Sequence, residues 1–257
     1  MAEKRKPTIS PEQMPRFSHP RWLAGFLEVG GSMKLTIVRN HQNGHETPQA
    51  RPEIAYGDDD LDRITRLREL WGSTDKVRTA RSTSYAIVRG DRAVYMANSI
   101  APDALSRRTI ITAFLDWLRA DFTEDRVAIA EGVVGRRTVD PVQPKEYRGL
   151  VQDPEFVAGV IDCRARVAPG EQPDRKRISY WISHVVKVNS VNGPLLEALQ
   201  SQHGGQFVQI GKMGETVPMR GKQVTLKNDA FEWILGAANA KNLITWANPR
   251  LPISNEK

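Results

Sequence analysis

The sequence has a single cysteine and no long apolar run. Cys163 has no second cysteine to pair with, so an internal disulfide is excluded. One reduced thiol fits an intracellular protein of the cytoplasm, nucleoid or organelle matrix. The apolar runs are far shorter than the ~20 residues of a membrane helix, so we expect no membrane partner. The first ten residues, MAEKRKPTIS, lack the apolar core of a secretory signal and predict a basic arm instead.

Clusters of metal-ligating or nucleophilic side chains are also scarce. His41 and His45 flank a turn without any cysteine partner, which is more typical of a solvated loop than of a zinc site. Cys163 has no histidine partner near it in sequence, so nothing supports a nucleophile there. The acidic run at 58–60 precedes a helical pattern and is explained by helix capping.

Positive charge is in excess. The 257 residues include 37 Lys and Arg against 30 Asp and Glu, for a formal net charge of +7. Each cation that neutralises a phosphate releases a counterion, so this balance favours polyanionic partners, although a merely basic surface is the alternative. With 40% apolar and 26% charged residues, the composition is that of a globular chain with one large domain or two small ones.

The order of predicted elements repeats once along the chain. WLAGFLEVGG (22–31) predicts a short apolar helix that ends at a glycine pair, and an alternating strand pattern follows it. FVAGVIDCRA (156–165) begins the same order again. Late in the second half, QFVQIGKMG and KQVTLKN predict a strand pair, and DAFEWILGAANA predicts a helix. We predict four segments: a basic arm at 1–19, a first repeat at 20–122, a linker at 123–152 and a second repeat at 153–257.

The segment LAGFLEVGGS resembles the signature helix of the LAGLIDADG homing endonucleases and maturases, and VAGVIDCRA is similar to the same signature. The downstream passages RPEIAYGDDDLDRITRLRELWG and ISHVVKVNSVNGPLLEALQSQHGG resemble the family's strand-then-helix passage. The resemblance implies an α+β fold of two pseudo-symmetric αββαββα repeats, whose antiparallel sheets form a nucleic-acid-binding saddle. It also implies a monomer, because one chain carries both halves of a pseudo-dimer. Small residues would bring the two motif helices together at their interface: Ala24, Gly25, Ala158 and Gly159.

The catalytic acids of the resembled family are missing. In that family, an acid at the eighth motif position of each helix holds Mg²⁺ for phosphodiester cleavage. Gly30 and Arg164 occupy these positions here. Glycine has no ligand atom, and a permanently charged arginine suits a phosphate rather than a metal.

Glu28 and Asp162, at the sixth motif position, lie about 200° round the helix from the eighth and are weak candidates to replace the missing ligands. We therefore predict a protein without cleavage chemistry and without a cofactor. The alternative is an active site-specific double-strand DNA endonuclease with displaced ligands, which would need Mg²⁺.

The fold can still bind nucleic acid if catalysis is lost. We predict structured RNA as the target, bound by a maturase-like protein or a structural subunit of a ribonucleoprotein with other proteins; a DNA-binding regulator is the alternative. Tyr180 and Trp181 could stack on bases, or pack in the core. Polar and basic residues on the predicted strands and at the second helix end suit phosphates and base edges. They are Lys34, Thr36, Arg78, Arg81, Arg89, Arg164, Arg175, Lys176, Arg177, Lys187, Lys212, Arg220, Lys222, Gln223 and Lys227.

Overall fold

The chain forms two compact units, each of which is made of two separate segments of the sequence. The computed structural model describes residues 17–42, 45–73, 75–80, 82–133, 139–171, 182–219, 222–251 and 254–255. One unit comprises Met1–Pro20 and Gly31–Asp140, and the other comprises Arg21–Gly30 and Pro141–Lys257. Both motif helices therefore belong to the second unit.

The first half has the predicted αββαββα order followed by two further helices, and the second half begins with the same αββα order and continues with four strands and a helix. The α-helices of the described residues are α1 (Pro20–Val29), α2 (Leu61–Leu70), α3 (Asp91–Ile100), α4 (Arg108–Arg119), α5 (Thr123–Val133), α6 (Pro154–Arg164), α7 (Gly193–His203) and α8 (Ala237–Ala247). The strands are β1 (Ser32–Gln42), β2 (His45–Asp58), β3 (Arg78–Ala80), β4 (Thr83–Arg89), β5 (Ala165–Glu171), β6 (Ile182–Ser190), β7 (Gln206–Gly211), β8 (Thr216–Met219), β9 (Lys222–Thr225), β10 (Ala230–Leu235) and β11 (Ser254–Asn255).

Local sequence signals set several helix ends. Helix α1 ends before Gly31, whose φ of 73° lies in the left-handed region that favours glycine. The side chain of Asp60 caps α2 by accepting a hydrogen bond from the Arg63 N–H at 3.1 Å, which confirms the capping interpretation of the acidic run. Asp153 caps α6, and Pro154 occupies its first turn.

The sheet of the first unit has the order β1-β2-β4-β3 and is antiparallel throughout. Ile54 and Val88 pair across β2 and β4, and both are buried. Because successive side chains of a strand point to opposite faces, the neighbouring Glu53 and Arg89 lie on the other face, which we call the outer face. Helices α2, α3 and α4 contact strands of this sheet.

The sheet of the second unit has the order β11-β5-β6-β10-β7, and a separate hairpin is formed by β8 and β9. Two sequence predictions were wrong here. The helix expected at DAFEWILGAANA is strand β10 up to Leu235, and a helix begins only at Ala237. The strand pair expected between QFVQIGKMG and KQVTLKN does not form, because β7 pairs with β10 while β9 pairs with β8.

The segment predicted as a linker contains regular structure. It includes α5 and two short 3₁₀ helices, Pro144–Tyr147 and Leu150–Gln152. Throughout the ranges that the structure describes, every helix is too short or too polar to cross a membrane.

Candidate nucleic-acid interface

The two motif helices, α1 and α6, pack directly against each other through their glycines. A Cβ atom added at Gly25 would overlap the backbone carbonyl of Phe156, and one added at Gly159 would overlap that of Trp22. Ala24 and Ala158, which precede these glycines in sequence, are both buried. The absence of side chains at the two glycines thus allows backbone-to-backbone packing.

Asp162 of α6 forms hydrogen bonds with α1 and with two backbone N–H groups that follow α8. Its side chain is buried, and its Oδ2 accepts hydrogen bonds from the Trp22 Nε1–H at 2.8 Å and from the Arg250 backbone N–H at 2.7 Å. Its Oδ1 accepts from the Leu251 N–H at 3.0 Å. Since buried carboxylates need such partners, these bonds give Asp162 a structural role.

Glu28 of α1 is buried in a different network. Its Oε2 accepts hydrogen bonds from the Tyr147 hydroxyl at 2.6 Å and from the Asn192 side-chain amide at 2.7 Å. The same Asn192 caps α7 by accepting from the Leu195 N–H. Glu28 therefore connects three separate parts of the second unit.

The eighth motif positions of the two helices are adjacent. A Cβ at Gly30 would lie 2.7 Å from Arg164 Nε and in overlap with Cys163 Sγ. The Arg164 side chain is exposed, whereas Cys163 is buried. The place where the resembled family would carry two acids thus presents a glycine beside a solvent-facing guanidinium.

This arrangement does not fit a Mg²⁺ site. Magnesium requires hard oxygen ligands, and a guanidinium at the same place repels a cation. The described residues also contain no group of three or more His, Cys, Asp or Glu side chains arranged to hold a metal ion.

The outer face of the first sheet carries a row of charges across three strands. Lys34 on β1, Glu53 on β2 and Arg89 on β4 are consecutive register partners. Lys34 Nζ lies 2.9 Å from Glu53 Oε1, and Arg89 Nε lies 2.9 Å from Glu53 Oε2. Arg89 Nη1 also donates to Asp75 Oδ2 at 2.6 Å. Two predicted nucleic-acid ligands, Lys34 and Arg89, are thus held by carboxylates.

The charge of Glu53 is stabilised by this row. Burial by itself would raise the pKa of the Glu53 carboxyl. The hydrogen bonds and positive charges of Lys34 and Arg89 outweigh burial and hold the pKa below its ordinary value. Glu53 is therefore ionised throughout the neutral pH range.

The outer face of the second sheet is different. Cross-strand pairs on that face join Lys187 to Ile234 and Glu232 to Val208. Val208 and Ile210 of the edge strand β7 are exposed apolar residues. Within the part of the chain that the structure describes, this face has no salt-bridged row like that of the first sheet.

The remaining predicted ligands are scattered, and several cannot be placed. Arg78 is exposed on β3, and Thr36 lies next to the charged row on β1. The exposed residues Lys212, Gln223 and Lys227 lie at or near β7 and β9. Outside the described residues or side chains lie Arg81, Arg175, Lys176, Arg177, Arg220, Lys222, His41, His45, Tyr180 and Trp181.

Sequence reasoning missed the acidic and neutral partners of the site. Glu53 could have been noticed, because it is a charged residue between Pro52 and the apolar Ile54 in a strand pattern. Tyr147 and Asn192 gave no comparable signal, since they are 119 and 164 positions away from Glu28 in sequence.

The fold is similar to that of several solved DNA complexes, although sequence comparison finds no relative. No family model and no curated protein matches the sequence. The LAGLIDADG homing endonuclease I-GzeII in complex with its DNA target is 12% identical, with 90% of this chain and 84% of that chain covered and a TM-score of 0.52. The LAGLIDADG homing endonuclease I-LtrWI bound to target DNA is 14% identical, with 93% and 85% covered and a TM-score of 0.54.

A third similar structure is the meganuclease I-SmaMI bound to uncleavable DNA. It is 12% identical, with 90% of this chain and 85% of that chain covered and a TM-score of 0.54. The α+β prediction with antiparallel sheets and paired motif helices is confirmed. At sequence identities this low, the similarity establishes the fold of the backbone and nothing more. That fold is the fold of the LAGLIDADG homing endonucleases.

Proposed function

We propose that this chain binds nucleic acid without cleaving it. The observation that carries the proposal is the pair of eighth motif positions, where Gly30 offers no ligand atom and Arg164 adds a positive charge. The acids two residues earlier are buried in hydrogen-bond networks that hold the second unit together. A metal-free helix pair of this kind retains its packing role and loses the cleavage role.

Three features support nucleic acid as the partner. The net charge is +7. The fold is similar to that of two LAGLIDADG homing endonucleases whose structures were solved in complex with DNA. Arg164 is an exposed cation at the end of the helix pair. A guanidinium binds a phosphate by two parallel hydrogen bonds, and it does so without a metal ion.

Structured RNA is the first target that we propose. The resemblance to the maturases supports it, since proteins of that kind assist splicing without using the cleavage site. The chain would then act as a maturase-like protein or as a structural subunit of a ribonucleoprotein. Duplex DNA is the second candidate, as for a DNA-binding regulator, because the similar solved structures contain DNA.

Selection from random pools tests the proposal. The purified chain is incubated with a pool of structured RNAs and, separately, with a pool of duplex DNAs at about 0.1 M salt, where charge contacts still contribute. We expect one RNA family to be enriched. Enrichment from the DNA pool alone would favour the second candidate, and enrichment from neither pool would overturn the proposal.

We also propose that the chain is monomeric, because it carries both motif helices and packs them on each other. Light scattering of the eluting peak measures this. A mass near 28.8 kDa is expected, and a concentration-independent mass of twice that value would overturn it.

A further inference from the structure

The charged groups of the row on the first sheet, together with Asp75, have no net charge. Lys34 and Arg89 contribute two positive charges, and Glu53 and Asp75 contribute two negative charges at ion-pair distance. A phosphate anchor needs uncompensated positive charge, because its free energy comes from counterion release. The row is therefore poorly suited to phosphate.

The row is instead suited to a neutral group that accepts hydrogen bonds. Both carboxylate oxygens of Glu53 are occupied by the flanking cations, and the Glu53 side chain is only 11% exposed. The Lys34 side chain is 54% exposed, and Arg89 has N–H groups beyond the two that it uses for Glu53 and Asp75. Among the three strand residues of the row, the polar atoms that remain available are thus the donors of Lys34 and Arg89, while the half-exposed carboxylate of Asp75 is paired with Arg89.

A further polar atom lies beside the row. Thr36 follows Lys34 by two positions on β1, so the two side chains share a face. Its Oγ1 is buried and has no hydrogen-bond partner among the described residues. A buried hydroxyl without a partner is unfavourable by roughly 1–3 kcal/mol.

We infer that Glu53 positions Lys34 and Arg89 to read the acceptor-bearing edge of a guanine base. Guanine presents two acceptors, O6 and N7, on that edge, whereas adenine and cytosine present amino donors there. The edge is accessible in the major groove of DNA and on an unstacked base of an RNA loop. Glu53 is a positioning residue in this account, and the account rests on the proposed nucleic-acid binding.

The test uses the targets enriched from the two pools. Each guanine of the best target is replaced in turn by 7-deazaguanine, which has a carbon atom in place of N7. We expect one replacement to weaken binding of the wild-type chain by roughly tenfold. For the Glu53→Gln variant, the same replacement should change binding by less than twofold.

The salt dependence provides a second readout that a merely structural role would not give. Loss of the Glu53 charge leaves the row with one uncompensated positive charge, because Lys34 loses its partner while Arg89 stays paired with Asp75. The variant should therefore bind random sequences more tightly, and its plot of log affinity against log salt should be steeper by about 0.7–0.9. Asp75→Asn removes a charge from a more exposed carboxylate and leaves Arg89 paired with Glu53, so it should give a smaller change in the same direction.

Glu131→Gln is the matched control, because Glu131 is an exposed residue on α5 with the same change of charge. The inference is overturned if Glu53→Gln behaves like Glu131→Gln, or if every guanine tolerates 7-deazaguanine. Failure of the wild-type chain to bind either pool would overturn the proposed function itself, and the inference with it. RNA and DNA targets are distinguished by the pool from which the target came.

Discussion

The two motif helices are alike in their packing and unlike at their ends. Both α1 and α6 place a glycine against the partner's backbone, and both bury an acid at the sixth motif position. At the eighth position, α1 has Gly30 and α6 has Arg164. The residues that pack the helices together are therefore separable from those that would hold a metal.

The two buried acids differ in the kind of donor that they use. Asp162 accepts from two backbone N–H groups and from an indole, whose positions are fixed by the fold. Glu28 accepts from the Tyr147 hydroxyl and the Asn192 amide, which are side chains. Both of these donors bind one oxygen, Oε2, whereas the donors to Asp162 bind both of its carboxylate oxygens.

The largest effect should come from breaking the packing that the helices share. Gly25→Ala and Gly159→Ala should each lower the free energy of unfolding by about 3 kcal/mol, because the new methyl group meets backbone rather than side chain. Urea denaturation measures this. Gly132→Ala on α5 is the control: nothing lies within 4 Å of the added atom, and up to about 1 kcal/mol of stabilisation is expected. Equal stabilities of Gly25→Ala and Gly132→Ala would contradict the close approach.

A smaller effect should separate the two acids. Asp162→Asn should lower the free energy of unfolding by about 2–3 kcal/mol, because its new amide group faces backbone donors. Glu28→Gln should lower it by about 1 kcal/mol, since the carbonyl oxygen of a glutamine can accept both hydrogen bonds that Glu28 Oε2 accepts. Chemical denaturation of both variants gives the order. A larger loss of stability for Glu28→Gln than for Asp162→Asn would show that the kind of hydrogen-bond donor does not determine the loss.

The difference at the helix ends should be visible in binding. Arg164→Asp should weaken binding to the selected target by about tenfold near 0.1 M salt and reduce the salt slope by about 1. Lys241→Asp, an equal change of charge at an exposed site on α8, should leave the slope unchanged. Titrations at several salt concentrations measure both. An unchanged affinity of Arg164→Asp would remove the phosphate role from Arg164.

The smallest effect concerns Glu53, an acid held by cations rather than by neutral donors. Its folded-state pKa is below its ordinary value, so its stabilising contribution is complete at neutral pH and is lost as the pH falls through the folded-state pKa. Below the ordinary glutamate range of about 4–4.5, the wild-type chain should lose more stability than Glu53→Gln. Urea denaturation at a series of pH values tests this; parallel curves would contradict it.

The fold and the pair of motif helices could be predicted from the sequence, whereas the hydrogen-bond partners of Glu28 and Asp162 could not. Glycine spacing and the eighth-position substitutions are local and could be predicted. The strand β10 was predicted as a helix because DAFEWILGAANA is apolar without a clear period. In the structure, Trp233 and Leu235 alternate onto the buried face, and pairing with β6 and β7 decides the conformation.

The charged row illustrates a second limit. Lys34 and Arg89 were predicted as ligands because basic residues on strands suit nucleic acid. Their neutralisation by Glu53 depends on the register of three strands, and β2, α2 and β3 lie between Lys34 and Arg89 in sequence. Register of this kind follows from pairing across the sheet and not from any one segment.

A cleavage assay on the selected target tests the central claim most directly. The target, end-labelled and bound to excess protein, is incubated with Mg²⁺ or Mn²⁺, and the products are separated by size. We predict that the target stays intact while it remains bound. The contradicting result is cleavage that requires the divalent ion and that Glu28→Gln or Asp162→Asn abolishes while binding is retained. That result would favour the alternative, an active endonuclease with displaced metal ligands.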